Sequence, residues 1–321
     1  MKRESEIRKL QLTGGSTYII SLPKWWISNL GLKPGDEVEL IVTPSLKLMI
    51  SPRWTRERMQ RETVISSEGH NIQSLIREII ANYIAGIDTV KIMFSKIDHS
   101  HELKEIIRRR LLGSEVVEES HDYLTFQFLI SERDLSIDRS FRRMGSISCS
   151  LLRDVYLSII ERKKDYVMNM YLRDDEVDRF YFYIMRLLSL STSDPEIIES
   201  NGYRLNQIPE LYSVAKSIER VSDHAIRIAS IVQKEEVEED IGLSLKDACD
   251  LFSRSLEIFY EKDKLKASQV MLDIDETYSK RSSEIVKKNV LIAESFNRVL
   301  KYSKDIIEST IDIVVKGQKL A

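Results

Sequence analysis

Cysteine, proline and glycine are scarce in this 321-residue chain: two, six and eleven residues. The two cysteines, Cys149 and Cys249, lie far apart and have no ligand spacing. That excludes a disulfide-stapled scaffold, and both read as buried thiols of a reducing compartment. So little proline and glycine argues for long uninterrupted helices. No apolar run reaches the ~18 residues a membrane span needs, so no membrane insertion is expected. The opening MKRESEIRK is charged and lacks an apolar segment, so no secretory signal is evident and the expected location is cytoplasmic. A large charge of one sign is also missing: the net charge is −3, so any nucleic-acid role must come from a local patch. Nor is there a visible nucleophile–base pair or a set of Glu-x-x-His ligand pairs, and an enzyme is not expected.

What is present begins at residues 7–43. Leu10, Gln11 and Leu12 alternate as a strand does, behind the basic pair Arg8-Lys9. Gly14-Gly15 marks a turn that needs positive φ. Residues 17–22 (TYIISL) are β-branched and aromatic, which predicts a second strand stopped by Pro23. A two-turn helix is expected over 24–30, capped by Gly31. After the Lys33-Pro34-Gly35-Asp36 turn, residues 37–42 and 46–50 read as a hairpin across Pro44-Ser45. Some fifty residues without a staple cannot bury a full core alone, so a second copy is expected to complete it.

This stretch resembles the AbrB/MazE/SpoVT swapped-hairpin domain, through its basic opening strand, Leu22-Pro23, Leu30-Gly31-Leu32 and the Pro34-Gly35-Asp36 turn. The resemblance implies a homodimeric β-barrel that binds DNA, with Arg8, Lys9 and Lys24 as phosphate contacts. Residues 1–61 carry eleven Lys/Arg against six Asp/Glu, an excess that fits salt-sensitive phosphate binding. The pattern departs from the family at the short helix, where Ile27-Ser28 replaces an arginine pair, and at Ser16-Thr17. These gaps keep a pure dimerisation module open as the alternative.

Residues 53–131 read as a small α+β domain in the order β-α-β-α-β-β: a short strand at 63–66, a helix ended by Gly86, a strand at 89–94, a helix over 102–112, and two strands joined at His121-Asp122. His99 and His101 read as loop histidines. Arg108-Arg109-Arg110 reads either as a phosphate contact or as a solvated helix face.

From about residue 135 the strands vanish. Phe141, Met144, Ile147, Ser148, Leu151, Leu152, Val155 and Ile159 trace one apolar stripe. Further helices are expected over 166–190 with Asp165 as N-cap, 209–234, 245–260, 264–288 and 291–316. Residues 191–206 and the acidic 235–240 (EEVEED) read as links. Ser217-Ile218-Glu219-Arg220-Val221 is echoed by Ser295-Phe296-Asn297-Arg298-Val299, and Asp175-Glu176 by Asp275-Glu276. The recurrence predicts two three-helix bundles, 132–236 and 241–321. The expected fold is therefore multidomain α+β: a swapped-hairpin barrel (1–52), an α+β domain (53–131) and an all-α pair of bundles (132–321).

Two carboxylate pairs carry the chemistry. Asp174 and Asp178 are four apart on one helix, as are Glu219 and Asp223 on the next. Like charges at this spacing repel, so two pairs on neighbouring helices need solvent or a cation. Converging, they make an all-oxygen site for a hard cation; otherwise they form a solvated stripe or pair with Arg179 and Arg220.

DDEVD at 174–178 and ERVSDHA at 219–225 are similar to the paired acidic signatures of PhoU, the phosphate-uptake regulator. With the N-terminal stretch, the chain resembles an archaeal PhoU-type regulator. The resemblance implies iron, zinc, magnesium or manganese at the acids, and regulation of phosphate transport. In the second repeat Asn297, Lys301, Ile274 and Tyr278 replace the acids, so at most one metal cluster per chain is expected, on the first repeat. The leading functional reading is a DNA-binding regulator of phosphate uptake. The alternative is an adaptor that does not bind DNA and docks on the ATPase subunit of a phosphate transporter, regulating it negatively.

Overall fold

The structure, a computed structural model, describes residues 6–42, 48–52, 61–94, 100–132 and 134–318. The Pro44-Ser45 turn and His99 lie outside these residues. The chain divides into two compact units, Met1–Gln60 and Arg61–Ala321.

In the first unit, β1 (Gln11–Thr13) and β2 (Thr17–Ile19) form an antiparallel hairpin. Gly14 and Gly15 turn it at φ 62° and 81°, a region side chains avoid. Pro23 precedes α1 (Lys24–Asn29), and Gly31 follows it at φ 65°. β3 (Val38–Val42) pairs antiparallel with β4 (Leu48–Pro52). Leu32 is the one large hydrophobic residue buried among the described residues of this unit. Leu12, Tyr18, Leu40, Val42 and Leu48 are each more than half exposed. The two hairpins form, and most of their large apolar side chains are left in solvent.

The second unit starts with an α+β layer. β5 (Glu62–Ser66), α2 (Ile72–Ile84), β6 (Thr89–Met93), α3 (Ser100–Arg110), β7 (Ser114–Glu119) and β8 (Tyr123–Phe128) follow in order. The sheet order is β5-β6-β8-β7. β5 and β6 run parallel because α2 crosses between them; the other pairs are antiparallel. The register aligns Ile65 with Ile92 and Ile92 with Leu124, so one face presents a continuous apolar row. Leu75, Ile79 and Tyr83 of α2 and Leu103 and Ile107 of α3 close over it. Asn71 starts α2 by accepting the Ser74 amide at 2.9 Å.

The helical part comprises α4 (Ile137–Ile160), α5 (Met170–Ser191), α6 (Pro195–Glu199), α7 (Ile208–Lys234), α8 (Glu239–Glu261), α9 (Lys264–Lys288) and α10 (Val290–Gly317). The stripe on α4 is buried along its whole length. α4 packs on α5, α7 and α8, and α10 packs on α7, α8 and α9. The result is two three-helix repeats, α4-α5-α7 and α8-α9-α10, sharing one core.

Three helix boundaries differ from expectation. Asp165 does not cap α5: it lies in a 3-10 turn, Lys164–Val167, that buries Val167, and α5 starts after Asn169 in a left-handed conformation (φ 57°). Gln233 and Lys164 hold that turn to α7, through Gln233 Nε2 to Val167 O (2.8 Å) and Lys164 Nζ to Gln233 O (3.0 Å). The link at 191–206 contains α6, capped by Asp194 with Pro195 in its first turn. α8 begins inside the acidic link, because Glu239 and Asp240 suit the positive end of a helix dipole.

The α+β layer is fastened to the bundle by Arg186 of α5, whose side chain is 2% exposed. It donates to Tyr83 O (2.6 Å), Ile87 O (2.7 Å) and Asp88 Oδ1 (2.7 Å), and packs over the Tyr83 ring. A buried guanidinium is sustainable only with such a full set of acceptors.

Candidate functional site

α5 and α7 pack side by side, and their acidic positions face one another. Apolar side chains set the orientation: Val177, Tyr181 and Ile184 of α5 and Val214, Ile218 and Val221 of α7 enter the core. Helical geometry then carries Asp174, Asp178, Glu219 and Asp223 to the flanking face.

Ser222 Oγ donates to Asp174 Oδ1 at 2.5 Å across the helix pair. Asp178 Oδ2 lies 3.9 Å from Arg110 Nε of α3. Glu219 Oε2 accepts from Lys216 Nζ at 2.9 Å and lies 3.6 Å from Arg220 Nε. Asp223 Oδ2 accepts from Arg220 Nη1 at 3.1 Å. Burial pushes the Asp174 carboxyl up to about 6; the Ser222 hydrogen bond opposes this, and Asp223, Asp175 and Glu219 add to it. Burial and then Asp174 push Asp178 up to about 7, against the pull of Arg110. Burial and Asp223 raise Glu219 as well, against Lys216. The four acids thus act on one another in a partly dry setting, the condition under which a carboxylate gains most from a cation.

Among the described residues, no group of three or more His, Cys, Asp or Glu side chains is close enough to hold a metal ion. The donor set has the chemistry of a hard-cation site, but each carboxylate as placed is turned to a protein cation or hydroxyl. Ligation would need the side chains to rotate towards one another. His224 is directed elsewhere: its Nδ1 lies 3.2 Å from Ser295 Oγ on α10. In the second repeat, Asp275 is held by Lys304 Nζ at 2.9 and 3.0 Å, and the Asn297 Oδ1 atom is buried with no hydrogen-bond partner among the described residues. In that repeat the cation on Asp275 comes from α10 of the same repeat, whereas Asp175 is met by arginines of α3.

The arginine run on α3 turned out to be only partly a solvated face. Arg109 Nε pairs with Asp175 Oδ2 at 2.7 Å, and Arg110 Nε lies 3.5 Å from Asp175 Oδ1. Charge alone gave no sign of this; it follows from Leu103, Ile107 and Leu111 occupying the sheet core, which leaves the arginines to face α5.

In the first unit, Arg8, Lys9 and Lys24 are exposed. Glu6 accepts from Arg8 and, at 3.1 Å, from Trp25 Nε1. Among the described residues Lys24 is the single basic residue on α1.

Fold and site together define a tandem three-helix-bundle protein with a carboxylate-lined seam, preceded by an α+β layer and a hairpin unit. The PhoU domain family model matches residues 141–232, and the model "Antidote-toxin recognition MazE, bacterial antitoxin" matches 11–55. The curated relatives are the phosphate-specific transport system accessory protein PhoU homologues of two Caulobacter vibrioides strains, NA1000 / CB15N and ATCC 19089. Each is 34% identical over 107 residues, which span 33% of this chain and 44% of the relative. The match thus spans less than half the length of these relatives. A solved structure, the phosphate transport system regulatory protein PhoU from Streptococcus pneumoniae, aligns with a TM-score of 0.48 and 18% identity, over 58% of this chain and 96% of its own. Among the described residues, no helix is long and apolar enough to cross a membrane.

Proposed function

We propose that this chain is a dimeric regulator of phosphate transport, with its first unit on DNA and its helical half as a cation-responsive sensor. The carrying observation is that all four acids, Asp174, Asp178, Glu219 and Asp223, fall inside the PhoU match. The raised carboxyls of Asp174, Asp178 and Glu219 would be relieved by a divalent or ferric ion such as magnesium, manganese, iron or zinc, once the side chains rotate towards one another. The exposed apolar residues of the first unit support homodimerisation, since Leu12, Tyr18, Leu40 and Val42 have no core of their own. The MazE-type match and exposed Arg8, Lys9 and Lys24 support phosphate contacts.

A second reading is an adaptor in which the first unit only dimerises and the bundles meet a transporter's ATPase subunit. The near absence of basic residues on α1 favours it. Binding to DNA from upstream of phosphate-transport genes, at low and moderate salt, separates the two. The regulator predicts specific binding that weakens with salt by about 0.9 log units per log unit of salt for each phosphate contact, and that is lost in Arg8→Ala plus Lys9→Ala. Absence of binding at low salt selects the adaptor.

A further inference from the structure

The two helical repeats join at a cavity of about 330 Å3, at the small end of the range for small-molecule sites. It lies where α4 and α7 end and residues 235–238 lead into α8. Ile159 and Val232 are buried and Val237 is half-buried, so part of its lining is apolar. Arg162 and Lys164, from the turn after α4, and Glu235, Glu236 and Glu238, from the link after α7, are exposed and charge the rest. Arg162 is placed by the close of α4. Its amide donates to Ile159 O at 3.3 Å, the Lys163 amide donates to Ser158 O at 3.1 Å, and Arg162 itself is left-handed at φ 56°. Glycine is the usual residue at such a position.

Several of these groups have no partner of their own. Ser158 is 2% exposed, and its Oγ has no hydrogen-bond partner among the described residues. Ser148, Ser255 and Ser303, also buried in long helices, each donate to the carbonyl four residues back. Among the described residues Arg162, Glu235 and Glu236 form no ion pair, whereas Lys288 Nζ holds Glu238 at 2.8 Å and Lys164 Nζ donates to Gln233 O. This mixture of charges excludes the simpler ligands. An anion alone would meet three carboxylates and the carbonyl ends of α4 and α7; a cation alone would meet Arg162 and Lys164. A metal ion finds no cluster here, since among the described residues no three His, Cys, Asp or Glu side chains are close enough to hold one.

We propose that this cavity binds a small zwitterion with a short apolar body, of the aliphatic α-amino acid class. Glu235 and Glu236 receive the ammonium, and Arg162 receives the carboxylate. The Ser158 hydroxyl supplies a buried hydrogen bond, and Ile159, Val232 and Val237 cover the side chain. The cavity shares no residue with the acid seam of α5 and α7, so the failure of either reading leaves the other standing.

The test titrates L-leucine, as probe, into the full chain at pH 7.5 by calorimetry, and one site per chain is expected. Arg162→Gly removes the guanidinium and suits the left-handed backbone, so the fold is kept. Leucine affinity in that variant is expected to fall roughly tenfold or more, as for a lost hydrogen bond to a charged group. Ser158→Ala removes a hydroxyl that has no bond to lose without the ligand. It is expected to leave the thermal midpoint unchanged or raised, and to weaken leucine binding roughly two- to tenfold. Isopentylamine, which lacks the carboxylate, and 4-methylpentanoate, which lacks the ammonium, are expected to bind far more weakly than leucine. The proposal is overturned by no binding of leucine at millimolar concentration, by equal binding in all three proteins, or by either half-molecule binding as well as leucine.

Discussion

Arg186→Met is expected to lower the unfolding free energy of the 61–321 unit by about 3–5 kcal/mol, the cost of breaking a buried charge pair. The substitution removes three hydrogen bonds, to Tyr83 O, Ile87 O and Asp88 Oδ1, and leaves the Asp88 carboxylate in a place built for a cation. Methionine fills much of the volume, so the loss reports the charge and its hydrogen bonds more than a cavity. Arg186→Lys keeps the charge without the planar fork and should recover only part of the loss. The urea midpoint measures both. A change below about 1 kcal/mol for Arg186→Met would put this side chain among ordinary surface ion pairs, contrary to its burial.

In the metal-free protein, Asp174→Asn combined with Asp178→Asn is expected to stabilise the chain at pH 7.5, by about 2–4 kcal/mol. The figure is smaller than two independent shifts would give, because each proton bound relieves the other acid. In the folded chain these carboxyls titrate at about 6 and about 7, above their ordinary value of 3.8. Between those values the folded state holds protons that the unfolded state has lost. Stability therefore falls as pH rises from about 4 to 7, and their contribution is fully present only below the unfolded value. The double variant should flatten that slope. Denaturant midpoints at pH 5, 6, 7 and 8 measure it, and parallel curves for the two proteins would mean the carboxyls are not held apart from water as the structure places them.

The first unit was legible because its signals are local. Pro23 fixes φ at its own position, Gly14-Gly15 and Gly31 supply the positive φ that other residues avoid, and each stands where the structure turns. The α4 stripe was legible because one face of a long helix repeats the same choice many times. Boundaries were lost where tertiary contacts outweighed local preference, as when burial of Val167 drew Asp165 into a 3-10 turn. The spacing of Asp174, Asp178, Glu219 and Asp223 placed each pair on one helix face. It could not give the cations opposite them, since Arg110 reaches Asp178 across a sequence separation that no periodicity spans. Arg186 shows in the sequence only as a single charge inside the apolar run FYFYIMRLLSL.

Without a cation, the raised carboxyls of the seam cost the folded chain stability at neutral pH; the proposed cation would offset that cost. The metal content of the purified chain, set against that of Glu219→Ala plus Asp223→Ala by elemental analysis, tests this most directly. About one equivalent of metal per unsubstituted chain is expected, with a large loss in the double variant. Equal content in the two proteins would contradict it.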